Sequence, residues 1–352
     1  GPREIGFDRS FIFAATNDRV PTVYIEDQKI VGLDPEDPLL VDYRKNFEGE
    51  PTGKTHPDLM YKMKPSHGHD DSIHNGIGRI GFQKGGRTAY WVDENMAEVF
   101  SNKALEYVQD AVEAEQPFFL YYALHQPHAP RVPNPRFAGA TPLGPRGDVI
   151  VEMDNQVGEL LRLLRELNVE ENTIIVFTSD NGMVVGDGYI DQSIVLNQKT
   201  GHTPGGIFRG GKYTRYDGGM HIPLIIQWKG NIKPGVSNAL VCQVDFLASF
   251  AGLLNQEIPR HIDSQNLSGA FLGRTESGRN DLVLEATWKL SYRDQRWFLI
   301  PPRNASPTLP EQKAELYDLQ EDPSQKTNLA EQHPEIVRKM HERLEEIVQT
   351  KP

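Results

Sequence analysis

The stretch DVIVEMDNQVGELLRLLRELNVEENTIIVFTSDNG, residues 148–182, joins two patterns that decide the fold class. Residues 148–167 repeat apolar side chains at intervals of three and four, as one face of an amphipathic helix does. The run TIIVFT at 173–178 is short, continuous and apolar, which indicates a buried strand. A helix followed directly by a buried strand predicts an α/β architecture.

The same alternation continues on both sides of this stretch. Residues 95–115 have helical periodicity, and PFFLYYAL at 117–124 is a second buried-strand pattern. Downstream, IPLIIQW at 222–228 predicts a third strand and 244–254 an apolar helix. Because strands that alternate with helices pair in parallel through right-handed crossovers, we expect a mostly parallel central sheet flanked by helices.

The ends of the chain have a different character. Residues 15–94 are rich in Asp, Pro and Gly and predict loop excursions above the sheet. Near the C-terminus, runs such as LVLEA at 282–286 predict antiparallel strands, and 334–348 predicts an amphipathic helix. We therefore predict a catalytic α/β domain over 1–275 and a smaller α+β subdomain over 276–352.

Composition excludes several classes of function. The 352 residues include 37 Lys and Arg against 49 Asp and Glu, a net charge of −12. Such a chain is a poor non-specific binder of nucleic acid or anionic membranes. The longest apolar run, 118–124, is far shorter than the roughly 18 residues that a membrane span needs. We expect neither a nucleic-acid partner nor membrane insertion.

Chemically reactive side chains follow two of the predicted strands. His125 and His128 bracket a proline after the 117–124 run, and Asp180 and Asn181 follow TIIVFT. Ligands of open α/β sheets bind beyond the carboxyl ends of the strands. Adjacent carboxylate and amide oxygens suit Ca²⁺ or Mg²⁺, although Asp-Asn-Gly is also an ordinary turn sequence.

A third segment, which we call the lysine loop, is FRGGKYTRYDGGMHIP at 208–223. It concentrates cations, among them Arg209 and Lys212, in an acidic chain, and His202 lies just upstream. Such a concentration predicts a positive pocket for an anionic ligand, with a solvated basic loop as the alternative. Arg209 and His202 are therefore candidates for substrate binding.

The segment SHGHDD at 66–71, with His74 nearby, contains several potential metal ligands. A glycine-spaced loop does not by itself provide the closed geometry of a transition-metal site. Packing or surface exposure is the favoured interpretation of this segment, and His69 is retained as a candidate substrate contact.

These segments, in this order, resemble the formylglycine-dependent sulfatases of the alkaline-phosphatase-like superfamily, in particular the bacterial enzymes that act on sulfated glycans. The resemblance covers most of the chain. The blocks that carry it are FFLYYALHQPHAPR (118–131), DVIVEMDNQVGELL (148–161), TIIVFTSDNG (173–182), FRGGKYTRYDGGMHIPLI (208–225) and ELYDLQEDPSQKTNLAEQHPEIVRKM (315–340).

The resemblance implies roles for particular residues. Asp180 and Asn181 match two ligands of a divalent cation, usually Ca²⁺ with Mg²⁺ possible, which polarises the sulfate oxygens. His128 matches a histidine that contacts the ester and donates a proton to the departing alcohol, and Lys212 matches a sulfate-binding lysine. Thr16 lies where relatives place a small polar residue near the sulfate.

Other elements of the family pattern do not occur in this chain. Family members carry a Cys or Ser in C-x-[P/A]-S-R that becomes formylglycine, two further aspartate ligands, and a GKWHLG-like segment. The single cysteine, Cys242, does not lie in that motif. We therefore expect the chain to correspond to the C-terminal two-thirds of a sulfatase, with the nucleophile on an N-terminal piece of the same protein.

The function expected from the resemblance is hydrolysis of sulfate esters, on sulfated carbohydrates in preference to smaller sulfated molecules. Two alternatives stay open at this point: a phosphatase or a phosphodiester or phosphonate hydrolase of the same superfamily, and a catalytically silent binding protein. By analogy with the family, we expect a periplasmic or secreted location. The oligomeric state is not predicted.

Overall fold

The computed structural model describes residues 1–259, 262–287, 289–303 and 311–350. These residues form two compact units. The first consists of Gly1–Val169 and Val185–His202, and the second of Glu170–Val184 and Thr203–Pro352. The predicted subdomain from residue 276 onward lies within the second unit, so its boundary stays a prediction.

The first unit is built on two long helices that pack against each other. A proline in the first turn of α2 replaces an N–H group that would have no partner there. A third, shorter helix completes the helical part of this unit. The helices are α1 (Met96–Glu113), α2 (Pro145–Glu166) and α3 (Ser193–Thr200).

The region predicted as loop excursions contains two small antiparallel hairpins and other short strands among its irregular segments. One of them turns at Asn75 and Gly76, both with positive φ, as a two-residue Asn-Gly hairpin requires. The strands are β1 (Phe11–Phe13), β2 (Tyr24–Glu26), β3 (Lys29–Ile30), β4 (Leu40–Asp42), β5 (Ile73–His74), β6 (Ile77–Gly78) and β7 (Phe82–Lys84). Strands β1, β2 and β3 form one sheet, and β4 pairs with β7 and β5 with β6.

The run at 117–124, predicted as a buried strand, is not part of any β-ladder in the described structure. Phe119 and Tyr121 are 70% and 73% exposed. A strand is defined by hydrogen bonds to a neighbouring backbone, and apolar side chains alone cannot supply them. The apolar pattern therefore does not, in this chain, lead to the predicted strand.

The second unit contains two sheets. Strand β8 (Ile175–Thr178) pairs with β9 (Leu224–Gln227) in antiparallel register. The other sheet is a four-stranded antiparallel meander. Its strands are β10 (Asp281–Ala286), β11 (Lys289–Asp294), β12 (Trp297–Ile300) and β13 (Glu315–Asp318).

Helices α4 (Asp245–Leu253) and α5 (Ser268–Phe271) contact each other, and α6 (Pro334–Gln349) packs on the meander. Met340 and Leu344, one turn apart, bury the apolar face of α6 against Leu299 and Leu316.

The named strand pairs of the described ranges are all antiparallel, whereas the sequence predicts mostly parallel neighbours. Parallel pairing needs a second strand brought in by a crossover, and β8 has β9 as its ladder partner instead. No helix in the described part of the chain is long and apolar enough to cross a membrane.

Candidate functional site

The end of β8 presents the predicted metal ligands in a tight turn, residues 179–182. Asp180 is exposed, and its Oδ1 accepts a hydrogen bond of 2.9 Å from the backbone N–H of Asn181. Gln243 Nε2 donates to the carbonyl of Ser179 at 2.8 Å. These bonds fix the backbone of the turn at the strand end.

The turn and the lysine loop are joined through their backbones. The N–H of Gly182 donates to the carbonyl of Gly219 at 2.8 Å, and the N–H of Lys212 donates to the carbonyl of Met183 at 2.9 Å. A Cβ atom on Gly182 would lie 2.0 Å from the carbonyl oxygen of Gly218, so only glycine permits this approach. The structure therefore brings Lys212 next to the turn that carries Asp180 and Asn181.

The residues of this turn fit a divalent cation in donor chemistry. A carboxylate and a carboxamide are hard oxygen donors, and Ca²⁺ takes about six to eight such ligands. Among the described residues, no group of three or more His, Cys, Asp or Glu side chains could hold a metal ion. Asp180 and Asn181 thus fit part of a calcium or magnesium sphere and do not complete one.

In the first unit, His128 is oriented by two acceptors. Its Nδ1 lies 3.0 Å from Oδ1 of buried Asn17 and 2.6 Å from the carbonyl of Ala129. Because both neighbours accept hydrogen bonds, we assign the Nδ1 proton to this contact. Nε2, 3.7 Å from Asp187 Oδ2, is the nitrogen left for proton exchange with a ligand.

The other histidine of the same segment has a different environment. Burial lowers the pKa of His125 to about 4, so its ring is neutral at physiological pH. The side chain of His128 is 28% exposed. The surroundings therefore favour His128, the residue selected from the sequence, over His125 as a group that exchanges protons with a ligand.

Thr16 and His69 meet at a residue that the sequence interpretation did not single out, Asp18. His69 Nε2 lies 3.1 Å from Asp18 Oδ2, and the hydroxyl of Thr16 donates to Asp18 Oδ1. Burial opposes ionisation of Asp18, but the hydrogen bonds from His69 and Thr16 outweigh it and lower its pKa. Burial likewise opposes protonation of His69, but the hydrogen bonds with Asp18 and the carbonyl of His67 outweigh it and raise its pKa. When His69 is protonated, the two side chains form an ion pair.

Asn17, Asp18 and Asp187 are thus functional candidates that sequence reasoning missed. The polar run Thr-Asn-Asp-Arg at 16–19 closely follows the apolar strand β1 and is the signal that could have drawn attention to Asn17 and Asp18. No comparable local signal marks Asp187.

The Arg209 guanidinium makes hydrogen bonds to other residues of the second unit. It donates to the hydroxyls of Tyr317 at 3.1 Å and Tyr216 at 2.9 Å and to the carbonyl of Gln325 at 2.9 Å. Its guanidinium carbon lies 3.8 Å from the Tyr216 ring centroid. These contacts support a role in holding the lysine loop, and the substrate role stays a prediction.

The remaining candidates are more simply placed. His202 is exposed at the end of the first unit, with its backbone N–H bonded to the carbonyl of Asn197 at 3.1 Å. His74 is buried, 2.9 Å from the hydroxyl of Thr22, and burial together with the charge of Arg79 lowers its pKa to about 3. His74 is therefore part of the interior packing, in line with the favoured interpretation of that region.

The chain is similar to known sulfatases along most of its length. A family profile described as Sulfatase matches residues 42–256, and one described as N-sulphoglucosamine sulphohydrolase, C-terminal, matches 208–350. An N-acetylgalactosamine-6-O-sulfatase of Bacteroides thetaiotaomicron is 43% identical over 98% of this chain and 69% of the relative. Human arylsulfatase A is 34% identical over 51% of this chain, which spans only 33% of that relative.

Solved structures of sulfatases are also similar to this chain. A solved structure described under the metabolism of multiple glycosaminoglycans by Bacteroides thetaiotaomicron is 43% identical to this chain, with a TM-score of 0.94. The match covers 99% of this chain and 74% of that structure's chain. A Pseudoalteromonas sulfatase, 24% identical with a TM-score of 0.61 over 73% of this chain and 53% of its own, shares the fold. These likenesses confirm the predicted alkaline-phosphatase-like α/β class.

Proposed function

Because the chain belongs to the sulfatase family, we propose that the complete protein removes 6-O-sulfate groups from N-acetylgalactosamine residues of sulfated glycans. The observation that carries the proposal is the 43% identity to an N-acetylgalactosamine-6-O-sulfatase over 98% of this chain. The residues matched by the Sulfatase profile, 42–256, are a range that contains both the Asp180–Asn181 turn and the lysine loop. The phosphatase alternative is not favoured, since the relatives named above are sulfatases.

The proposed chemistry answers the two difficulties of sulfate-ester cleavage, which are negative charge on the sulfuryl oxygens and a poor alkoxide leaving group. The Lys212 ammonium neutralises charge on the bound sulfate. His128, held by Asn17 through Nδ1, uses Nε2 to hold the proton for the departing oxygen.

Two groups of the family complete this chemistry. Asp180 and Asn181 would hold a divalent cation, Ca²⁺ or Mg²⁺, which supplies further charge neutralisation when bound. Formylglycine, the nucleophile of the family, has no matching motif in residues 1–352.

The Asp18–His69 pair supports a sugar substrate. Arg19 lies beside it, with Nε 3.1 Å from the hydroxyl of Thr16 and its own side chain 45% exposed. This arrangement offers charged donors and acceptors of the type that sugar hydroxyls bond to, and we propose His69 as a contact of the sugar. We also propose a periplasmic or secreted location, where polymeric glycans are encountered.

The test measures, by ion chromatography, sulfate release by the complete protein from three esters: N-acetylgalactosamine 6-sulfate, N-acetylgalactosamine 4-sulfate and N-acetylglucosamine 6-sulfate. Phosphate release from the matching phosphate ester of the first is measured beside it. We expect the first to be hydrolysed with the highest kcat/KM. A preference for the 4-sulfate would contradict the proposed position, and a preference for the matching phosphate ester would contradict the proposed reaction. No turnover of any ester would favour the silent binding protein.

A further inference from the structure

Tyr213, directly after Lys212, has a backbone conformation that large residues seldom adopt. Its φ is +74°. It occupies the third position of a turn closed by a 3.0 Å hydrogen bond from the N–H of Thr214 to the carbonyl of Gly211. Turns with positive φ at this position normally carry glycine there, and a bulky residue is a genuine outlier.

The ring of Tyr213 gains little from burial in return for this strain, since Tyr213 is 58% exposed. Its ring centroid lies 5.1 Å from Lys212 Nζ, and its carbonyl oxygen accepts a 3.4 Å hydrogen bond from Thr287. Strained residues persist where the surroundings hold them and occur preferentially at ligand sites. The turn therefore holds an exposed aromatic residue whose ring centroid lies 5.1 Å from the candidate sulfate-binding ammonium.

The other two aromatic residues of the lysine loop, Phe208 and Tyr216, contact side chains of the protein itself. Phe208 stacks on His221 with ring centroids 4.0 Å apart. Tyr216 lies under Arg209 and donates to Glu315 at 3.1 Å. Both are less exposed than Tyr213. A packing role thus explains Phe208 and Tyr216 but not the exposed ring of Tyr213.

We propose that Tyr213 is a stacking platform for the pyranose ring of the sugar whose sulfate Lys212 binds. The inference rests on the proposed function for the identity of that sugar. In galacto-configured sugars, the C–H groups of C3, C4 and C5 form an apolar patch that packs on an aromatic face. In a 6-O-sulfate, C6 and the ester oxygen connect the ring to sulfur, so a sulfate at Lys212 brings the pyranose to the neighbouring residue.

A platform that binds the sugar equally in the ground state and the transition state acts on KM rather than on kcat. We expect Tyr213→Gly and Tyr213→Leu in the complete protein to raise KM for an N-acetylgalactosamine 6-sulfate oligosaccharide by about tenfold at nearly unchanged kcat. Tyr213→Phe keeps the ring and stays within about twofold of wild type. Asn255→Gly, which places glycine at a different positive φ of 53°, is the control and leaves KM unchanged.

Two binding measurements separate stacking from positioning of Lys212. Calorimetry with the neutral, desulfated oligosaccharide is expected to show the same loss of affinity in Tyr213→Gly, whereas the inhibition constant of inorganic sulfate is unchanged. If the sulfate constant rises in parallel with KM, Tyr213 acts only by positioning Lys212 and the platform is refuted. Wild-type KM in Tyr213→Leu would also overturn it.

Failure of the proposed function gives a different result. Tyr213-dependent binding of the neutral sugar by a protein that releases no sulfate supports the platform and contradicts only the reaction. A protein that releases sulfate with no dependence on Tyr213 contradicts only the platform.

Discussion

Asn17 and Ala129 determine which nitrogen of His128 is available to a substrate. Both present oxygen acceptors to Nδ1, so Nδ1 carries a proton, the ring is held in one orientation, and Nε2 is the nitrogen that faces a ligand. An unconstrained histidine would divide its time between two tautomers and several rotamers. At the scale of single residues, we propose that the doubly protonated ring of His128 donates its Nε2 proton to the leaving oxygen, and that other groups supply the rest of the reaction.

Replacement of His128 tests this role. We expect His128→Ala in the complete protein to lower kcat/KM for the sulfated sugar by about 10² or more, because the leaving oxygen loses its proton donor. His341→Ala is the matched control, since His341 lies on α6 with a 3.8 Å contact to Glu345. Equal activities of the two variants would remove His128 from the proposed site.

The Asp18–His69 ion pair predicts a dependence of stability on pH. The raised pKa of His69 stabilises the fold fully below the usual value of 6.5 and loses this effect as pH rises through the folded-state pKa. The lowered pKa of Asp18 stabilises above the usual 3.8 and loses its effect as pH falls. The pair is therefore most effective between these two limits.

Urea unfolding of wild type and His69→Gln measures this dependence. The stability difference is expected to be larger at about pH 5.5 than at about pH 9. His56→Gln, at an exposed histidine next to Thr55, is the matched control for the substitution itself. A His69→Gln effect of the same size at both pH values would argue against an ion pair.

At the scale of elements, a close glycine contact connects the turn after β8 to the lysine loop. The missing side chain of Gly182 lets its backbone meet the backbone of Gly218 and Gly219, where a Cβ atom would keep the two apart. The positions of Asp180, Asn181 and Lys212 consequently depend on one another. The contact joins segments that the sequence analysis treated as independent.

Gly182→Ala breaks this contact, because its Cβ would lie 2.0 Å from the carbonyl of Gly218. We expect a lower thermal midpoint and a loss of activity of about tenfold or more through displaced ligands. Gly158→Ala is the control: no heavy atom lies within 4 Å of its added Cβ in α2, and alanine there should stabilise by about 0.5–1 kcal/mol. Full activity in Gly182→Ala would show that the contact is dispensable.

At the scale of the whole molecule, we propose that Asp180 and Asn181 supply part of a metal sphere, and residues 1–352 contain no formylglycine motif. Asp180 and Asn181 are too few to displace the water shell of Ca²⁺ by themselves.

Metal removal tests the proposal that Asp180 and Asn181 hold a divalent cation. Exhaustive chelation of the complete protein is expected to reduce sulfate release, and added Ca²⁺ or Mg²⁺ to restore it. Full activity in a preparation that elemental analysis finds free of divalent metal would contradict the assignment of Asp180 and Asn181.

A polypeptide limited to residues 1–352 tests whether these residues contain the nucleophile of the reaction. We expect it to release no sulfate from aryl sulfates or sulfated sugars, since it has neither the C-x-[P/A]-S-R motif nor the two further aspartate ligands. Turnover above the uncatalysed rate would mean that a nucleophile lies within these residues.

The sequence by itself determined the features that depend on neighbouring residues. The spacing of apolar side chains predicted α1, α2 and α6, because a helix buries one face at a fixed period. The motifs around His128, Asp180 and Lys212 identified the family, because each motif is a short local pattern.

Only the tertiary structure decided which residues surround those motifs. Asn17 lies 111 positions from His128 in the chain, and Asp18 lies 51 positions from His69. Periodicity carries no information over such distances. The run at 117–124 shows the same limit, since its apolar side chains predict a strand while a strand also requires a neighbouring backbone to bond with.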